Sequence, residues 1–169
     1  MRQIPLGARG TSTLRVQPEH LADRFKDAIL PQVLATPVMI LIMENAALNA
    51  IRPFLDAGES AVGTAVDVQH FAATPVGHEV CATAEVINVE GKRVDFKVSA
   101  SDGIEEIGSG NHQRIVIDLR SFNQRLAKKR SSNATVGLTL RPALDTRVPD
   151  LLVRERYRLA IRKGQTGAT

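Results

Sequence analysis

Glu44 is the residue whose surroundings in the sequence are least typical of its type. If it lies on a helix, its neighbours one turn away are all apolar: Ile40, Leu41, Ala47 and Leu48. A carboxylate in such surroundings costs free energy unless it is paired, hydrogen-bonded or protonated. A carboxyl group held in this way suits a general base or a nucleophile. The alternative is a structural glutamate, either satisfied by a partner in the core or placed at a helix edge that faces water.

His70 ends a stretch of alternating residues that predicts a strand. Strict alternation places it on an apolar face directed towards a helix or an interface, with Gly63 on the opposite face. A single histidine on such a face is commonly a satisfied core residue, but a carboxylate on the facing helix makes general-base chemistry an equal alternative. The residues that alternation puts on the same face as His70 are Val62, Thr64, Val66 and Val68.

Thr36 is followed by Pro37, and this pair is typical of a helix start, with threonine as the N-cap and proline at the first helical position. The Thr36 hydroxyl therefore has either a capping or a chemical role, and the sequence leaves both open. His112 lies two residues from Arg114 on one face of a predicted strand, where it is either structural or lines a ligand groove. No His, Cys or carboxylate cluster has metal-ligand spacing, so no metal site is predicted.

A long helix and several strands must position these residues. The helix covers residues 36–55, and its apolar side chains occupy most of its circumference, which predicts that it is buried. Short turns join the strands, so their sheet is antiparallel. The prediction is an α+β fold in which an antiparallel sheet wraps around a long central helix. The predicted strands are residues 11–16, 60–71, 78–89, 93–101 and 104–117, the last interrupted at 108–110.

The C-terminal part of the chain differs from the rest in charge. Residues 1–117 contain 10 Lys and Arg against 14 Asp and Glu, a net charge of −4, whereas residues 118–169 contain 12 against 4, a net charge of +8. We expect a domain of residues 1–125 and a basic, partly helical extension of residues 126–169. Within the extension, the pattern predicts a helix at 119–129 that crosses the boundary, a linker at 131–146 and a second helix at 151–162.

Composition limits the possible classes of protein. A chain of 169 residues with 43% hydrophobic content forms one ordinary domain and excludes disorder as the main state. Cys81 is the single cysteine and makes no internal disulfide. One Tyr and no Trp argue against a nucleic-acid-binding surface. No apolar run is long enough for a membrane span or a secretory signal, so we expect a soluble cytoplasmic protein without membrane contact.

Three segments stand out: ATPVMILIMENA, VGTAVDVQHFAATPVG and DGIEEIGSGNHQR. Together with the spacing of Thr36, Glu44 and His70, they resemble the fluoroacetyl-CoA thioesterase family of acyl-CoA thioesterases over residues 5–125. The resemblance implies a hotdog fold and hydrolysis of an acyl-CoA thioester without a further cofactor. It also implies a homodimer, or a higher oligomer, with its sites at the subunit interface.

The resemblance assigns roles to individual residues. Thr36, Glu44 and His70 match the family's catalytic residues, and Gly63 matches a glycine near the thioester carbonyl. His70 is then the general base for water or for the Thr36 hydroxyl, whereas Glu44 orients His70 or water, or attacks the carbonyl itself. The CoA phosphates need cations at the rim, and the candidates are Arg93 and Arg114, with Lys92 and Lys97 nearby.

Two features depart from the family's pattern. The family has an aromatic lid just before its threonine, whereas residues 27–31 contain no aromatic residue, which argues against fluoroacetyl selectivity. The second feature is the extension after about residue 130, on which the resemblance has no bearing. The expectation is a thioesterase for a small or medium acyl group. The alternatives are a non-catalytic acyl-CoA-binding or sensing module and a hotdog enoyl-CoA hydratase.

Overall fold

A computed structural model describes residues 1–25 and 27–139, with side chains up to residue 132. Most of its secondary structure is one long helix and five strands, and a second long helix follows them. Short 3₁₀ turns cover Pro18–His20 and Arg52–Phe54. The elements are β1 (Arg9–Arg15), α1 (Ala22–Phe25), α2 (Thr36–Ile51), β2 (Glu59–His70), β3 (Glu79–Glu90), β4 (Arg93–Ser101), β5 (Glu106–Asp118) and α3 (Leu119–Thr139).

The five strands form one antiparallel sheet in the order β1-β3-β4-β5-β2, packed on α2. Clean alternation along β4 buries Val94, Phe96 and Val98 against the helix, which buries Met39 and Met43 in return. The predicted α+β arrangement, with the sheet wrapped around a long central helix, is confirmed. Strand β2 lies at one end of the order, so one of its edges has no neighbouring strand in the described part of the chain.

Helix α2 is less enclosed than its composition predicts. Eight of its residues are buried, but Leu41 is 53% exposed and the Glu44 side chain is 33% exposed. The α-helix also ends at Ile51, earlier than the predicted residue 55, because Pro53 cannot continue the helical hydrogen bonding and the chain goes on as a 3₁₀ turn. One strip of α2 therefore faces outwards, and Glu44 on it lies next to Gly63 of β2.

A β-bulge in β2 corrects the predicted faces of this strand. Gly63 pairs with Arg114 and Ala65 with Gln113, so Thr64 is an extra residue without a partner position. Before the bulge odd-numbered residues face α2, and after it even-numbered residues do. Gly63 and His70 therefore share the inner face, and the prediction that they lie on opposite faces is wrong.

Strand β5 is continuous, so the predicted interruption at 108–110 is also wrong. The glycines in that stretch allow a close approach. A Cβ on Gly108 would lie 2.6 Å from the Met39 sulfur and 2.6 Å from the Gln69 carbonyl oxygen. Glycine at this position thus marks a tight contact between the sheet and α2 rather than a turn.

The chain divides into two compact units, Met1–Leu126 and Ala127–Thr169. Helix α3 starts where predicted but continues to Thr139, so residues 131–139 are helical where a linker was expected. The predicted helix at 151–162 lies outside the described residues. No helix in the described part of the chain is long and apolar enough to cross a membrane.

Candidate active site

A hydrogen bond joins the first residue of α2 to the last residue of β2. The Thr36 Oγ1 atom lies 3.0 Å from Nδ1 of His70. The N-cap of α2 is Ala35, and no side chain caps the helix, so the capping role considered for Thr36 is wrong. Its hydroxyl is free of the helix and points to the imidazole. Thr36 is exposed, which leaves the hydroxyl accessible to a ligand.

Burial holds the pKa of His70 below its ordinary value, and the backbone of Ala72 offsets part of this effect by raising it. The imidazole is therefore mainly neutral at neutral pH and has one nitrogen able to accept a proton. The Nε2 atom is buried without a hydrogen-bond partner, so Nδ1 is the nitrogen that meets a hydroxyl. This arrangement suits transfer of the Thr36 hydroxyl proton to His70.

Glu44 lies on the same helix as Thr36, eight residues or about 12 Å further along the axis. Its Oε1 atom is 3.7 Å from Nε2 of His112. A Cβ on Gly63 would lie 2.4 Å from the same oxygen, so the carboxylate occupies space that any other residue at position 63 would fill. Within one chain, Glu44 and Gly63 thus form a cluster of their own, separate from the Thr36–His70 pair.

His112 and Arg114 support this second cluster from β5, and sequence reasoning left the role of His112 open. The His112 ring stacks on Phe96, and Nδ1 is 2.9 Å from the Ala65 carbonyl, to which it donates its proton. Its Nε2 atom lies 3.3 Å from a guanidinium nitrogen of Arg114. Desolvation lowers the pKa of His112, so this buried ring is a neutral acceptor at Nε2.

Neither arginine selected for the CoA phosphates contacts the Thr36–His70 pair. Arg114 is 7% exposed and donates to the main-chain oxygens of Glu44 at 3.1 Å and Ala61 at 2.7 Å. It lies inside the domain rather than at a rim. Arg93 is exposed, but its charge is paired with Glu90.

An apolar cavity of about 350 Å³ opens beside the Thr36–His70 pair. Its walls come from α1, from the segment between α1 and α2, and from the residues that follow β2. No group of three or more His, Cys, Asp or Glu side chains in residues 1–25 and 27–139 is arranged to hold a metal ion. The site as described therefore consists of a hydroxyl, an imidazole and an apolar cavity, with a carboxylate cluster further along α2.

Comparisons with known proteins agree on the class to which this fold and site belong. The family model described as fluoroacetyl-CoA-specific thioesterase matches residues 16–120. The fluoroacetyl-CoA thioesterase of Streptantibioticus cattleyicolor is 49% identical over 102 residues, which cover 60% of this chain and 73% of that protein.

Solved structures give the same result. A structure of the fluoroacetyl-CoA thioesterase FlK is 42% identical with a TM-score of 0.71, covering 75% of this chain and 98% of that one. A thioesterase-superfamily protein from Thermus thermophilus is 30% identical with a TM-score of 0.70, covering 78% and 99%. The fold is that of the hotdog thioesterases, as predicted. The chain belongs to the family of fluoroacetyl-CoA-specific thioesterases.

Proposed function

We propose that this chain hydrolyses acyl-CoA thioesters, with Thr36, Glu44 and His70 as its catalytic residues. The observation that carries the proposal is the 3.0 Å contact between the Thr36 hydroxyl and a largely neutral His70, at the side of an apolar cavity. Family membership supports it, because the related FlK was solved in complex with acetyl-CoA in one case and with fluoroacetate and CoA in another.

In the proposed reaction His70 is the general base. A proton passes to Nδ1 from the Thr36 hydroxyl or from a water bound beside it, and the oxygen attacks the thioester carbonyl. The C–S bond then breaks, and the proton returns to the CoA sulfur. The threonine route leaves an acyl-threonine that water hydrolyses in a second step. Rapid quenching followed by mass spectrometry of the intact protein distinguishes these routes, since direct attack by water adds no acyl mass. The same experiment on Thr36→Ala separates an acyl-threonine from a carboxylate of Glu44 that attacks the carbonyl itself.

Gly63 is proposed to lie beside the thioester carbonyl. The absence of a side chain at position 63 leaves room for the Glu44 carboxylate. We propose that Arg114 acts on the substrate only indirectly, through its bond to the Glu44 main chain. Arg93 remains the proposed partner of the CoA phosphates, in exchange for its pairing with Glu90.

Within one chain Glu44 and His70 lie in separate clusters. This separation supports a homodimer in which the two residues of one site come from different copies. Among the described residues strand β2 has a free edge; Val66 on this strand is 43% exposed, and Phe71 just after it is 56% exposed. Two copies of β2 can pair antiparallel about a two-fold axis. Because Thr64 is the extra residue of the bulge, an axis at Asp67 would bring Gly63, and with it Glu44, opposite the partner subunit's His70. Each site would then contain residues of both copies.

Co-expression of two differently tagged variants, Glu44→Gln and His70→Ala, tests this shared site. Each variant alone is expected to be inactive. In a mixed dimer one site contains both substitutions and the other contains neither, so random mixing restores about a quarter of the wild-type activity. If Glu44 served the His70 of its own chain, the mixture would stay inactive.

The first test of the function itself is thiol release from a panel of acyl-CoA thioesters, with His70→Ala as the matched control. Release by the wild type that disappears in the variant supports a thioesterase. Loss of enoyl absorbance without thiol release would indicate a hydratase instead. Binding in calorimetry without any turnover would indicate an acyl-CoA sensing module. The domain of residues 1–125, the basic extension of 126–169 and the cytoplasmic location remain predictions from the sequence.

A further inference from the structure

The cavity beside Thr36 and His70 is apolar on nearly all sides. Its lining has only two polar side chains that could contact a bound group, the Thr36 hydroxyl and the His70 imidazole. The main apolar walls are Phe25, Leu30, Pro31, Val33 and Phe71. Among the described lining residues there is no Asp, Glu, Lys or Arg. A charged acyl end, such as a second carboxylate, would lose its hydration there without gaining a partner.

The size of the cavity favours an acyl group longer than two carbons. Its volume is about 350 Å³, and it is open to solvent on one side. The reacting carbonyl and sulfur take a small part of this space. The remainder has room for several further carbon atoms, and an acetyl or fluoroacetyl group would leave most of it unfilled.

We propose that the acyl substrate is a neutral aliphatic chain of about four to eight carbons, and that Phe25 and Leu30 determine its length. This inference rests on the proposed thioesterase function and adds the class of acyl group. Phe25 is 52% exposed, so one side of its ring is available to a bound chain. Leu30 lines the cavity between Phe25 and Val33, and its side chain is partly buried.

The proposal predicts how turnover depends on acyl length. Each methylene that enters an apolar site contributes about fourfold to kcat/KM, the equivalent of its transfer from water. The wild type should therefore gain activity in steps from acetyl-CoA to hexanoyl-CoA and level off once the cavity is full. Succinyl-CoA should be hydrolysed far more slowly than butyryl-CoA, which has the same length without the second carboxylate.

The decisive variant is Leu30→Trp, which fills part of the cavity. We expect it to lower the ratio of kcat/KM for hexanoyl-CoA to kcat/KM for acetyl-CoA by about tenfold or more. Ile29→Trp is the matched control, because Ile29 lies next to Leu30, is 87% exposed and does not line the cavity. It adds the same bulk to the same segment and should leave the ranking of substrates unchanged. Phe25→Ala, which removes a wall, should shift the preferred chain to a longer one.

The possible outcomes distinguish failure of the acyl-length proposal from failure of the proposed thioesterase function. Thiol release that is highest for two-carbon substrates, or a ranking that Leu30→Trp does not change although the variant melts at the wild-type temperature, overturns the acyl-length proposal alone. If Leu30→Trp fails to fold, the Phe25→Ala ranking decides. Absence of thiol release from every acyl-CoA overturns the proposed function itself.

Discussion

Two histidines of this protein are alike in the direction of their pKa shift but differ in their hydrogen-bond partners. Burial lowers the pKa of both His70 and His112. His70 meets an exposed hydroxyl beside a cavity, whereas His112 has the Ala65 carbonyl on one nitrogen and Arg114 on the other. A lowered pKa alone thus does not separate a reactive histidine from a structural one. The two histidines are distinguished by the group that the unprotonated nitrogen faces, a hydroxyl for His70 and a guanidinium for His112.

The largest effect should come from removing the histidine at the cavity. His70→Ala deletes the proposed base, and loss of a general base costs about 10²- to 10⁴-fold in rate. We expect kcat for a butyryl-CoA substrate to fall by this factor, with little change in the urea midpoint. Thiol release and equilibrium unfolding measure the two quantities. Wild-type turnover by the variant would remove His70 from the mechanism.

Two of the glycines that approach α2, Gly63 and Gly108, allow the site to be compared with the packed interior. Gly63→Ala brings a Cβ against Oε1 of Glu44, the far end of a flexible side chain, and to 3.1 Å from Cε1 of His112. The carboxylate moves, and the fold holds if the ring shifts by a few tenths of an ångström. Misplacing a catalytic group lowers the reaction rate by about 100-fold. We therefore expect kcat to fall by about ten- to a hundredfold.

Gly108→Ala is the matched control for Gly63→Ala. Its Cβ meets the Gln69 carbonyl and the Met39 sulfur in the packed interior, so it should lower the free energy of unfolding by about 1–3 kcal/mol. If Gly63→Ala lost stability and kept its kcat, the space beside Glu44 would have only a packing role.

Replacing the structural histidine should give the reverse of the His70→Ala result. His112→Ala leaves the Ala65 carbonyl without its donor and removes the ring that stacks on Phe96. We expect a loss of about 1–3 kcal/mol in the free energy of unfolding and a smaller change in kcat than His70→Ala causes. Urea denaturation of both variants under one condition makes the comparison. A larger rate effect at His112 than at His70 would reverse the roles given to the two residues.

The smallest expected effect is on pH dependence. His70 accepts a proton only when neutral, and its pKa lies below the ordinary 6.5. The acid limb of kcat/KM should therefore lie below pH 6.5, and a limb above it would contradict the buried, neutral base.

The free energy of unfolding should also fall as the pH is lowered. Below pH 6.5 the unfolded chain protonates these histidines before the folded one does, so stability present above 6.5 falls as the pH drops towards the folded pKa values. His112→Asn should make this decline shallower, because it removes one of the two groups. Unfolding free energies at several pH values between 7 and 5 check it.

The sequence predicted the architecture because its signals are local. Alternation in β4 and the apolar surface of α2 each follow from neighbouring residues, and together they determine a sheet packed on a helix. Thr36, Glu44 and His70 could be singled out for the same reason, through residue type and spacing. Their assignment to one catalytic site remains a prediction.

Other features depend on pairing between distant segments. The extra residue at Thr64 is set by the register of β2 on β5, so strict alternation put Gly63 on the wrong face. The burial of Arg114 follows from carbonyl acceptors on α2 and β2, which no pattern around position 114 reveals. The cavity walls come from three separate stretches of chain, and for that reason its volume could not be predicted.

The bulge at Thr64 also determines which changes in β2 the protein tolerates. Odd-numbered residues face inwards before Thr64 and even-numbered residues face inwards after it, and this change turns Gly63 and His70 to the same side. Replacing Thr64 by another exposed residue leaves both patterns unchanged. Deleting Thr64 places Ala65 directly after Gly63, and plain alternation then keeps the inner residues of both ends inwards, because these two residues already pair with consecutive positions of β5. A single residue inserted elsewhere in β2 would instead turn the inner residues of one end outwards. The strand should therefore tolerate the loss of Thr64 better than the gain of one residue at another position.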